Sequence, residues 1–316
     1  MPCFRPGSIP ALLLAAACAG ACSSGPASAP EGQQVARPQP YVPPPPEEPL
    51  SPGEVLFECE RHLQAWSAEM AKQRDDENRE TLEWLERSLA RLVGNHRSIL
   101  EQQAVSGPPR NRGIASAALG FLGDPAVLPL ILNNVEDPDP LVSANAILGV
   151  ARLAAPDTPL EPLHRLAQRR DLPEAVHANL AYAGLRLAQA LGRDPGGMLS
   201  AMLIPYLDHM NPAIRSQAAI ALGLIGASHA VPQLTQMLVS DEVPIVRNAA
   251  AAALGRIGAP GSASALRRAL RDRDPLVAAT ARGSLAKIYG QDHGPDPEDW
   301  EEAPLPVPAS AGTPPG

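Results

Sequence analysis

Aromatic side chains are scarce: Phe, Trp and Tyr make up 3% of the 316 residues. Sheet cores draw on aromatic and β-branched residues, so this scarcity argues against a sandwich or barrel and for helices packed through small and aliphatic side chains. Ligand sets for metals are missing too. The seven histidines, His62, His96, His164, His177, His209, His229 and His293, form no H-E-x-x-H motif, and the four cysteines show no paired spacing. No metal and no cofactor is expected from such a pattern. G-x-S-x-G, the P-loop and the dinucleotide fingerprint are all absent, and Ser and Asp fall mainly in caps and turns, where backbone hydrogen bonding accounts for them. No catalytic residue is expected, and the chain reads as a non-enzyme.

Proline is plentiful, at 37 residues, and concentrated at the ends. The first segment, MPCFRPGSIPALLLAAACAGACSSG, has one positive charge at Arg5 and an apolar run from Ile9 to about Ala17. That is the layout of a secretory signal, too short for a permanent span. It resembles a bacterial lipoprotein signal, in which cleavage precedes a cysteine that then carries lipid. AGAC, Ala19 to Cys22, fits the small-residue part of that motif, so Cys22 is the expected lipidated residue, with Cys18 as the alternative and an ordinary cleaved signal as the bland reading. Cleavage before Cys22 would leave Cys59 as the one free thiol and no disulfide. The resemblance, with Ser23 rather than an aspartate after the cysteine, implies an outer-membrane location facing the periplasm in a Gram-negative cell. Residues 1–21 thus read as the signal and 22–52 as a disordered Pro-rich tether, long enough to reach up to ~90 Å if fully extended.

Residues 53–107 change character. Val55, Cys59, Leu63, Trp66 and Met70 recur at helical steps, as do Leu82, Leu85, Leu89, Leu92 and Val93, which predicts two helices and a possible third at SILEQQAV. Thirteen acids face seven bases between Glu47 and Gly107, so the outer surfaces are solvated and negative. A helical cap on the C-terminal part of the chain is one reading and a partner-docking arm the other. The Cys59 spacing suits a buried apolar residue better than a reactive thiol.

From residue 108 to 290 the chain repeats. Aligning on the leucine of ALGRIG picks out Leu119, Val150, Gly184, Leu222, Leu254 and Leu285, at intervals of 31, 34, 38, 32 and 31 residues, one helical hairpin each. Val246, Ala250, Ala253, Leu254 and Ile257 share one helix face, and the run Ala249 to Ala253 lets neighbours approach on the other sides. Asp139-Pro140, Asn211-Pro212 and Asp274-Pro275 are N-caps followed by proline at the first helical position; Gly123, Gly226 and Gly258 mark left-handed C-caps. The second helices are read in AVLPLILNNV, PLEPLHRLAQ, MLSAMLIPYL, AVPQLTQML and ASALRRAL.

NPAIRSQAAIALGLIGASHAVPQLTQML and DEVPIVRNAAAAALGRIGAPGSASALRRAL resemble HEAT repeats, in particular the short type named for phycobilin lyases. The fold expected is therefore all-α: an α-solenoid of about five to six hairpins with an N-terminal helical cap and disordered Pro-rich ends. The resemblance also implies a ladder of arginines, each paired with an acid in the preceding turn; the matching positions are Arg112, Arg215 and Arg247, with Asp208 and Asp241 as candidate acids, while Ser143, His177 and Ala278 break the pattern. Solenoids of this kind bind segments of other proteins over extended surfaces. An unidentified protein or peptide is the expected partner, with the membrane engaged through the lipid anchor and Gln233, Gln236, Arg267, Arg268 and Arg271 as the expected contact face. Two other uses of the repeat are bilin attachment and DNA recognition. Deoxyhypusine hydroxylases carry His-Glu pairs that are absent here. Nucleic acid is not expected: Asp272 and Asp274 interrupt the basic patch at LRRALRDRD, and the chain has a formal net charge of -8. The tail, 291–316, holds six acids and Trp300 with no Lys or Arg and reads as disordered, while an acidic partner for the basic patch could be this tail itself.

Overall fold

The computed structural model describes residues 50–72 and 76–301, and among them every regular element is a helix. Cys18, Cys22 and the tether as far as residue 49 lie outside the described residues, as do residues 302–316. None of the described helices is long and apolar enough to cross a membrane.

Helix α1 (Pro52–Met70) opens with a capping box, the Glu54 carboxylate accepting from the Ser51 backbone N–H at 2.8 Å while the Ser51 hydroxyl accepts from the Glu54 N–H. It pairs with α2 (Asp76–Asn95), and α3 (Arg97–Ser106) comes next. The faces brought together carry the predicted stripes: Val55, Cys59, Leu63 and Trp66 are buried, as are Leu85, Leu89 and Val93. Burial pushes the Cys59 thiol up to about 12, which keeps it protonated and inert.

The repeats then run α4 (Pro109–Leu119), α5 (Leu128–Leu132), α6 (Pro140–Leu153), α7 (Glu161–Ala167), α8 (Glu174–Leu191), α9 (Met198–Leu203), α10 (Pro212–Leu224), α11 (Val231–Ser240), α12 (Pro244–Ile257), α13 (Ala263–Ala269) and α14 (Pro275–Tyr289). Even-numbered helices from α4 to α14 are the first members of each hairpin, and their most extensive packing is on neighbouring first helices. Their starts are fixed locally. Asp139, Asn211 and Asp274 each accept, at 2.9 Å, from the backbone N–H two residues on, and proline fills the first helical position. Gly258, at φ 70°, ends α12 in the left-handed region that a side chain resists.

The alanines serve close approach between first helices. Ala249, Ala250, Ala251 and Ala253 are all buried, and a Cβ placed on Gly223 would sit 2.6 Å from the Ala253 Cα. Gly255 stands as tightly against Ser284, and Gly120 against Gly149. The same register recurs: a glycine near the end of one first helix meets a small residue on the next.

At the other end, Arg152 of α6 inserts its guanidinium over the rings of Trp66 (5.2 Å) and Phe121 (4.6 Å) and pairs with Glu86 at 2.9 Å. Trp66 Nε1 also donates to Glu86, at 3.0 Å, so cap and repeats share one aromatic and ionic joint. Two departures from the sequence expectation stand out. The long third repeat places its extra residues in an 18-residue α8 and in the left-handed pair Gly196 and Gly197. The described part of the tail is not disordered as expected: Trp300 is 0% exposed, so the stretch 291–301 packs on the last repeat instead of dangling from it. The buried indole, the ion pairs of Arg271 and Arg282 and the proline-restricted backbone together offset the cost of ordering this short segment.

Candidate interaction surface

The turns that join each second helix to the next first helix line up along one edge, and the arginines expected from the sequence are found there. Arg215 grips Asp241 through two parallel bonds, Nε at 2.8 Å and Nη2 at 2.9 Å, while its Nη1 donates to the carbonyls of His209 and Met210. Arg247 does the same one repeat on, with Asp272 at 2.8 and 2.7 Å and the carbonyls of Asp241 and Glu242. Arg112 pairs with Asp137 at 2.7 Å and donates to the Gly107 carbonyl. Each arginine therefore ties the backbone of its own preceding turn to a carboxylate in the following turn.

This corrects the direction expected for the ladder. Asp241 belongs to Arg215, not to Arg247, which meets only its carbonyl; Asp208 is not a rung and lines a groove instead. The reason is reach: the side chain leaves the first turn of its helix toward the next repeat, where the acid also accepts from the backbone N–H two residues ahead (Asp137 from Asp139, Asp241 from Val243, Asp272 from Asp274). The hydrogen bonds from Arg247 hold the Asp272 carboxyl below the usual carboxylate range. Asp137 and Asp272 went unpredicted as rungs. A signal was present, since Asp137, Asp241 and Asp272 each stand three residues before the proline that opens a first helix.

Where that signal changes, so does the chemistry. Ser143, at an arginine position, donates to the Val135 carbonyl at 2.6 Å. His177 is at the next arginine position, and His209 stands three residues before Pro212, in the place of the acid. Their rings lie 5.7 Å apart, and His177 Nδ1 hydrogen bonds with the Tyr206 hydroxyl at 3.0 Å. Burial, with His209 adding to it, holds the His177 imidazole below its ordinary range, and Asp171 pulls the other way. Burial also raises the Tyr206 phenol.

Among the described residues, grooves of about 440 to 880 Å³ run between successive turns, four of them in a row. They adjoin: the first and second share Arg169 and Leu172, the second and third share Asp208, His209 and Met210, and the third and fourth share Ser240, Asp241 and Glu242. Gln233 and Gln236, both exposed on α11, line the third groove, and Arg268 and Arg271 line the fourth. Arg267 lies outside these walls and donates to the Trp300 carbonyl. Met210, 94% exposed, gives the groove an apolar contact midway along. No set of three or more His, Cys, Asp or Glu placed to hold a metal occurs among the described residues.

The HEAT repeats family matches residues 200–286. Among solved structures, Kap121p is 16% identical with a TM-score of 0.54, the likeness covering 75% of this chain and 28% of that one, so the chain spans under a third of that relative's length. An engineered protein is 17% identical with a TM-score of 0.50, covering 77% and 75% of the two chains. The complex of CpcE and CpcF of phycocyanin lyase from Nostoc sp. PCC7120 is 18% identical, covering 79% and 92%, at a TM-score of 0.38. No curated protein sequence matches the chain. The first two likenesses speak to the fold alone, an all-α solenoid, and the HEAT repeats match is confined to residues 200–286.

Proposed function

We propose that the chain is a non-enzymatic scaffold of the bacterial cell envelope, anchored by lipid at Cys22 and holding another protein along its solenoid. The observation that carries the binding half is the row of adjoining grooves at the turn edge, where arginines, acids and an exposed methionine alternate over several repeats. An extended segment laid there would meet many weak contacts, the usual mode of a solenoid surface. The anchoring half rests on AGAC and on the Pro-rich stretch after it.

Photo-crosslinkers at Gln236 and Arg268, with Lys287 as an exposed control away from the groove walls, test the binding half in intact envelopes. One common partner captured from the two groove positions and not from the control is the expected outcome. Equal capture from all three would sink the groove. For the anchor, Cys22→Ser is expected to abolish incorporation of a labelled fatty acid and release the chain from membranes; unchanged labelling moves the anchor elsewhere.

A further inference from the structure

The solenoid does not end in an open face. After α14 the chain turns back, and residues 292–300 lie against α13 and α14 as a strap. Its anchor is Trp300, fully buried, with ring centroids 5.3 Å from Tyr289 and 4.9 Å from His293, and with Nε1 donating to the Gly294 carbonyl at 2.9 Å. Two ion pairs flank it, Arg271 with Glu298 and Arg282 with Asp292.

Three features distinguish this strap from a plain end cap. Both ion pairs are widely exposed, so they hold weakly and the indole supplies most of the attachment. Among the described residues the arginines outnumber the carboxylates that reach them: Arg267 donates to a backbone carbonyl, and Arg268 and Arg273 make no salt bridge. Arg271 belongs to two places at once, pairing with Glu298 while lining the last groove beside Arg268 and Arg273. A segment lying in that groove therefore meets the strap head-on, over a surface with cationic capacity to spare.

We propose that this end of the groove binds an acidic segment of a partner protein carrying an aromatic anchor, and that residues 292–300 occupy its place in cis until the partner displaces them. The inference rests on the scaffold reading and narrows it to one surface and one ligand chemistry. Covalent attachment gives the strap an effective concentration on the order of millimolar, so the partner must supply more contacts than the strap does. Extra carboxylates facing Arg267, Arg268 and Arg273 are the contacts available.

The probe is a fluorescent peptide of residues 292–302, DHGPDPEDWEE, titrated against the full chain. Against a Trp300→Ala chain, whose strap has lost its anchor, the peptide is expected to bind roughly tenfold or more tighter than to the unaltered chain. Binding is expected to weaken with salt, to be lost with a Trp-to-Ala peptide, and to fall when Arg271→Glu is added. Glu298→Lys, which leaves the indole seated, is the second variant and is expected to give intermediate binding even where Trp300→Ala disturbs the last repeat. No binding to either variant while circular dichroism shows both folded, or equal binding to variant and unaltered chains, overturns the proposal. So does an unaltered chain that sediments as a dimer dissolved by Trp300→Ala, which would assign the site to a second copy of this chain. Crosslinking from Gln236 reports on the scaffold reading independently of every peptide result.

Discussion

The repeats from α10 to α14 and those from α6 to α9 share one backbone plan and differ in how successive turns are tied. In the C-terminal pair of rungs, Arg215 and Arg247 each bind a carboxylate through two nitrogens and two carbonyls through a third. In the middle, a single serine bond at Ser143 and a pair of histidines stand at the same places. A guanidinium is planar and presents several donors at once, so one side chain can fix two turns; a serine hydroxyl or an imidazole offers fewer donors and fixes less. The difference teaches that the solenoid tolerates loss of rungs because the first helices pack by themselves, and that the rungs add rigidity at the edge where the grooves lie.

The largest test of that contrast is Arg247→Ala. It strands Asp272 and two carbonyls at a site where the arginine is only 8% exposed, and breaking such a pair costs about 3 kcal/mol. Thermal unfolding should show the loss, with the last repeat exchanging its amides first. Next comes Gly223→Leu, which forces a side chain against the Ala253 backbone and is expected to cost about 2 kcal/mol by overpacking. Because this packing is common to both regions, the matching change at Gly149 of α6, which stands as tightly against Ser116, should cost a similar amount; a much smaller cost there would mean that the two regions do not stack alike. Ser143→Ala removes one buried hydrogen bond and should cost about 1 kcal/mol by chemical denaturation, well short of the arginine.

The repeat register was legible because caps and C-cap glycines act locally: Asp139, Asn211, Asp274 and Gly258 announce helix ends without reference to anything distant. The direction of the ladder was not. Arg215 and Asp241 are 26 residues apart, and which turn a long side chain reaches depends on how the hairpins stack, information that no window of the sequence contains. The strap showed itself only in part: the tail was offered as an acidic partner for the basic patch, and Arg271 does pair with Glu298, but its ordered packing was not expected. Composition reads an acidic, Pro-rich stretch as unable to bury a core, yet Trp300 needs only the pocket that Tyr289 and the end of α13 provide. His209 was visible as a histidine and invisible as a rung, since its meaning lies in standing where Asp241 and Asp272 stand in their own repeats.

The smallest expected effect separates the two regions by pH. His177 is buried beside Tyr206 and His209, with Asp171 the acid that acts against the shift and Glu174, Arg169 and Arg170 lining the same groove. Its folded form favours the neutral imidazole, so the unfolded chain takes up a proton at a higher pH than the folded chain does. Stability from this site is complete above the ordinary imidazole pKa of about 6.5 and falls as the pH drops from there toward the lower folded value. The rung at Asp272 behaves oppositely in position: its carboxyl is held low, its contribution is complete above an ordinary Asp pKa of about 3.9, and it declines only below that. Chemical denaturation between pH 7 and 5 should therefore loosen the middle first, and amide exchange in α8 should rise while that in α12 holds. Replacing the histidine pair by His177→Arg with His209→Asp installs the rung found in its neighbours and should remove the decline between pH 7 and 5. A double variant that keeps the same pH slope would show that the slope arises at another titrating group and that the histidine rung is inert.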